Sequence, residues 1–103
     1  MTYYLHNSVN ASNISNEPVT VYVSSCRSGE KYLRSGSSKE ITPVHNCYEL
    51  NGVSPMLHIT VTYHNSEKTL TKNTRNYGYI IIENDRVYMR DDITDDLKKC
   101  TIL

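Results

Sequence analysis

Met56-Leu57-His58-Ile59-Thr60-Val61-Thr62-Tyr63-His64 alternates apolar and polar side chains over most of its length. With a side-chain period of two, Leu57, Ile59, Val61 and Tyr63 share one face of an extended segment, while Met56, His58, Thr60, Thr62 and His64 share the other. That alternation predicts a half-buried β-strand, because a helix would group its apolar positions at helical spacing instead. The same period recurs at 19–23, Val-Thr-Val-Tyr-Val, where Pro18 marks the start and β-branched side chains favour extended backbone.

Working outward, residues 77–83 and 86–90 read as two further strands joined at Asn84-Asp85, residue types that tolerate the positive φ of a two-residue hairpin turn. The run Ile80-Ile81-Ile82 predicts a strand covered on both faces, or one whose outer side is patched by a neighbour. Shorter strand candidates lie at 3–9, 30–34, 39–44 and 47–50. Between them stand Ser28-Gly29, Ser35-Gly36, Pro43, Asn51-Gly52 and Pro55, the frequent turn signals of a small sandwich. The Asn/Ser-rich stretch 7–16 reads as a mobile polar loop. Residues 94–100 read as a helical turn, with Thr94 as N-cap, Asp95 and Asp96 in the first turn and Lys98 and Lys99 in the last.

The expected fold is all-β, a small antiparallel β-sandwich of seven to eight strands with a short C-terminal helical turn. One domain covers 1–97, followed by a tail at 98–103. An immunoglobulin-type sandwich lacks its marks, since there is no Trp and Cys26 and Cys47 are close in sequence for the usual bridge between sheets. Tyr77 and Tyr79 offer only a loose analogy to a corner tyrosine.

The chain has 103 residues, enough for one core. With no Phe or Trp, its 9 Tyr supply every aromatic ring and are expected to pack with their hydroxyls near water. Eleven basic residues balance eleven acidic ones, so no net field draws the chain to polyanions, and nucleic acid is not an expected partner. No stretch approaches the length of a membrane span, and the opening Met-Thr-Tyr-Tyr-Leu-His-Asn has neither a basic nor an apolar region, which places the expected chain inside the cell.

Catalysis is not expected. Cys26, Cys47 and four His are available as types, but no nucleophile-elbow glycine pattern surrounds any serine, and no phosphate-cradling glycine loop is present among only 4 Gly. His45 and Cys47 would share a strand face without a second tightly spaced ligand pair, and His58 and His64 lie about 20 Å apart along a strand. Asp91, Asp92, Asp95 and Asp96 cluster carboxylates near Glu83, Asn84 and Asp85, a set of oxygen ligands suited to calcium; the alternative is a solvated loop and a helix N-terminus. Asn10-Ala11-Ser12 and Asn13-Ile14-Ser15 match the N-glycosylation acceptor pattern and are read as part of the polar loop.

The chain ends Lys98-Lys99-Cys100-Thr101-Ile102-Leu103, and its last four residues resemble the CaaX box of prenylated eukaryotic proteins. The resemblance implies a geranylgeranyl thioether on Cys100 and removal of the three residues after it. A single lipid holds a protein to a bilayer reversibly. Lys98 and Lys99 add attraction to an anionic leaflet, opposed by the nearby aspartates. On this reading the protein is a non-enzymatic binding domain on the cytoplasmic face of a membrane.

A second expectation belongs to another class. Exposed tyrosines with Asn, Asp and His on loops suit a small lectin-like protein that binds carbohydrate or a cell-surface protein, with calcium assisting. Such a protein is secreted, with Cys26 and Cys47 joined and Cys100 free. Exposed edge strands allow a homodimer in either case.

Overall fold

A computed structural model describes residues 8–26, 29–47, 56–75 and 78–90. Among these the chain forms β1 (Ser8–Asn13), β2 (Val19–Val23), β3 (Glu30–Leu33), β4 (Ser38–Pro43), a 3-10 turn (Val44–Cys47), β5 (Leu57–Tyr63), β6 (Thr69–Thr74), β7 (Tyr79–Ile82) and β8 (Val87–Met89). The strands make two four-stranded sheets, ordered β4-β1-β7-β8 and β3-β2-β5-β6. The small β-sandwich expected from alternation is the observed architecture. Its pairing is antiparallel except between β1 and β7, which run parallel.

The two clearest periodic segments form the centre of the second sheet. Val19, Val21 and Val23 of β2 stand opposite Tyr63, Val61 and Ile59 of β5, and all six are buried. The first sheet covers them with Val9, Ala11, Ile41, Ile80, Ile82 and Met89. Each fully buried aliphatic side chain of this kind stabilises the fold by about 1.5–3 kcal/mol. Tyr63 is the largest buried side chain, and its hydroxyl donates to the carbonyl of Glu83, just past β7 in the opposite sheet. Burial is the first cause that pushes this phenol above its ordinary range. Its hydroxyl is therefore held by backbone, whereas the sequence placed tyrosine hydroxyls near water. Of the isoleucine run, Ile80 and Ile82 enter the core and Ile81 is half-buried outside, beside Tyr88.

The stretch 7–16 is the largest departure from expectation. Its residues 8–13 are β1, a central strand paired with both β4 and β7. The reason lies in the inward positions, Val9, Ala11 and Asn13, whose alternation is masked because one of them is an asparagine. Asn13 is 0% exposed, and all its amide positions are used. Its Nδ2 donates to the carbonyls of Glu17 (2.9 Å) and Leu33 (3.1 Å), while Oδ1 accepts from the backbone N and the hydroxyl of Ser15. The link from β1 to β2 thus passes between sheets without an unsatisfied buried polar group.

Other differences are local. Residues 69–74 form β6 although Leu70 is their one large apolar side chain, because pairing with β5 supplies the order. Cys47 closes the 3-10 turn and does not begin a strand, while 48–50 lie outside the described residues. The Asn84-Asp85 hairpin is present, with Glu83 N donating to Arg86 O at 2.9 Å, yet neither turn residue has positive φ. Contacts from outside hold it instead: Asn16 N donates to Asn84 Oδ1 at 2.8 Å, and Lys68 Nζ donates to the Asn84 carbonyl. The expected strand at 3–7, Tyr77 and the helical turn at 94–100 lie outside the described residues.

Cys26 and Cys47 form a disulfide. The short separation does not prevent a bridge between layers, because the chain crosses from one sheet to the other between β3 and β4. Cys26 follows β2 of one sheet and Cys47 follows β4 of the other.

Candidate ligand-binding face

The polar halves of the alternating strands collect on the outer side of the β3-β2-β5-β6 sheet. Register places Glu30, Tyr22, Thr60 and Thr71 in one cross-strand row and Tyr32, Thr20, Thr62 and Thr69 in the next. His58 and Asn73 continue the face toward one end. Threonine favours this setting because its branched side chain packs on a pleated surface while its hydroxyl stays wet, and cross-strand Thr pairs support each other.

Tyr22 and Tyr32 are 38% and 48% exposed, and they lie diagonally across the β2–β3 pair. Tyr32 meets the His64 ring edge-on at 5.4 Å, and His64 Nε2 is 2.7 Å from Thr20 Oγ1, so the ring is braced by its neighbours. Nδ1 of His58 lies 3.0 Å from Asn73 Oδ1, so this ring too is held by a cross-strand neighbour. Within the two cross-strand rows Glu30 is the charged residue. The face therefore offers aromatic rings and hydroxyl, imidazole and amide groups, with one carboxylate in those two rows.

The outer side of the other sheet is different in character. Arg90 stacks over Tyr79 at 4.4 Å and Arg86 over Tyr88 at 4.3 Å. Arg86 Nε donates to Glu83 Oε1 at 2.8 Å, and the Tyr88 hydroxyl donates to Glu83 Oε2 at 2.9 Å. Those two bonds, Arg86 first, hold the Glu83 carboxyl below its ordinary range. Glu83 is thus engaged within its own hairpin.

Asp91, Asp92, Asp95, Asp96 and Cys100 lie outside the described residues. Asp85 stands exposed at the hairpin tip. Among the described residues no three His, Cys, Asp or Glu side chains are grouped to hold a metal ion. The expected His45/Cys47 strand pair is replaced by a 3-10 turn in which the Cys47 sulfur is bonded to Cys26. His58 and His64 are exposed at opposite ends of β5, as their spacing implied. No helix among the described residues is long and apolar enough to cross a membrane. Tyrosine content alone does not distinguish Tyr22 and Tyr32 from the other tyrosines; the signal for them is the polar half of the alternation that locates β2 and β5.

Compared with known proteins, the chain matches no family model, no curated protein and no solved structure.

Proposed function

We propose that the chain is a non-enzymatic binding module of an oxidising compartment, and that the outer face of its β3-β2-β5-β6 sheet takes an uncharged glycan. The observation that carries this reading is the exposure of Tyr22 and Tyr32 among Thr20, Thr60, Thr62, His58 and His64 on one open sheet face. Sugar rings present apolar C–H faces ringed by hydroxyls. Tyrosine rings stack on the former, and Thr, His and Asn groups bond the latter. The Cys26–Cys47 disulfide supports the compartment, because such bonds persist where thiols are not kept reduced.

Screening against immobilised neutral and anionic glycans tests the ligand. Expected is binding to neutral glycans that weakens at least tenfold in Tyr22→Ala and in Tyr32→Ala, both of which keep the wild-type melting temperature. Equal binding by wild type and the Tyr22→Ala/Tyr32→Ala variant overturns the assignment. Repeating the assay in a chelator reads any assistance by calcium at Asp91, Asp92, Asp95 and Asp96. The ending Cys100-Thr101-Ile102-Leu103 carries the other reading, a prenylated protein on a cytoplasmic membrane face. That form would hold an isoprenoid on Cys100 and free thiols at Cys26 and Cys47. Intact mass and thiol titration of protein from its native source separate the two.

A further inference from the structure

The asparagines of the two consecutive glycosylation acceptor patterns occupy opposite sides of one strand. Asn10 and Asn13 are three residues apart on β1, so the period of two sends Asn13 into the core and Asn10 to the outer surface of the β4-β1-β7-β8 sheet. We propose that Asn10 is an N-glycan acceptor and that Asn13 is not, an inference resting on the oxidising-compartment reading above.

Asn13 is excluded by its surroundings. It is 0% exposed, and both hydrogens of its Nδ2 are given to main-chain carbonyls. A sugar on that nitrogen removes one of those donors and requires space inside the joint between the sheets. A chain modified there cannot close its core.

Asn10 meets neither obstacle. Its side chain is half-buried on the outer face, and its amide nitrogen donates only locally, to the hydroxyl of Ser8 at 3.0 Å and to the Ser8 carbonyl at 3.4 Å. Its cross-strand neighbours are Glu40 of β4 and Tyr79 of β7, and the small side chains of Ser8 and Ser12 precede and follow it on the same side of β1, with Ser12 and Ser38 bonded to each other at 2.7 Å. The acceptor pattern is completed by Ser12.

In the transfer, Nδ2 of Asn10 forms a bond to the anomeric carbon of an oligosaccharide donated from a lipid diphosphate. The bond from that carbon to the diphosphate oxygen breaks, the lipid diphosphate departs, and Nδ2 loses one proton.

The test is expression of the full chain behind a cleavable secretion leader in a eukaryotic host. Sites are read by peptide mass after enzymatic removal of N-glycans, which converts a modified Asn to Asp, and thiols are counted on the same material. Expected is glycan on Asn10 alone, its loss in Asn10→Gln, and an unmodified Asn13 in all secreted protein. On secreted, disulfide-bonded protein, glycan on Asn13 or no glycan on Asn10 overturns the inference. Free Cys26 and Cys47 thiols overturn the compartment reading instead.

Discussion

Asn13 shows how a single polar side chain can organise a joint between sheets. It satisfies the carbonyls of Glu17 and Leu33 and the amide of Ser15, and Ser35 adds a bond to the Ser15 carbonyl. Asn13→Ala leaves several of these groups buried without partners, at a cost of about 3 kcal/mol. Urea denaturation is expected to show that loss, with Asn10→Ala staying within about 0.5 kcal/mol of wild type. Glu17 extends the joint to the β5–β6 turn, where its Oε1 accepts from the backbone N of Asn65 at 2.7 Å and of Ser66 at 2.9 Å. The Ser66 bond is the largest cause holding this carboxyl below its ordinary range. A lowered carboxyl means the unfolded chain binds the proton more readily, so its stabilisation is present above the ordinary carboxylate range and is lost as pH falls through it. Urea midpoints measured from neutral to acid pH should fall less steeply in Glu17→Gln than in wild type.

Among the elements, the edge strands explain how a sheet of this kind avoids pairing with itself. On β3, Lys31 occupies an inward position opposite buried Val21, and on β6, Lys72 does so opposite Ile59. Across the gap between sheets, Lys39 Nζ of β4 donates to the Tyr32 carbonyl of β3 at 2.8 Å. Inward charges and covered carbonyls discourage strand addition. Lys31→Val is therefore expected to increase self-association relative to wild type, measured by sedimentation velocity. The β5–β6 turn holds Glu67 at φ 62, a backbone state that costs a side chain with a Cβ about 1 kcal/mol. Glu67→Asn, a residue that tolerates this state, should raise the melting temperature by a few degrees. β2 and β5 were legible because their inward residues are all apolar. β1 was not, since Asn13 breaks the apolar set, and β6 was not, since an edge strand has little to bury. The binding face was half legible: the outward positions followed from the period, but nothing in a linear reading places Tyr32 beside Thr20 and His64.

At the scale of the molecule, two kinds of tie hold the sandwich. Hydrogen bonds around Asn13, Tyr63 and Asn84 knit one end, and the Cys26–Cys47 disulfide staples the layers at the other. With a sequence separation of 21, the bridge restricts the unfolded chain enough to contribute about 3 kcal/mol. Against the 5–15 kcal/mol typical of such domains, that is a large share. Reduction, or Cys26→Ser/Cys47→Ser, is expected to lower the melting temperature by more than about 10 °C, read by calorimetry.

The parallel seating of β1 beside β7 has a consequence for biogenesis. A ribosome finishes every strand of the β3-β2-β5-β6 layer once Thr74 has been added, yet β1, already made, still waits for Tyr79–Ile82 to complete its partnership. During that interval the greasy side of the finished layer has only half a lid, and Tyr63 has no Glu83 carbonyl to meet. The nascent polypeptide is thus most vulnerable to clumping immediately before its last hairpin emerges.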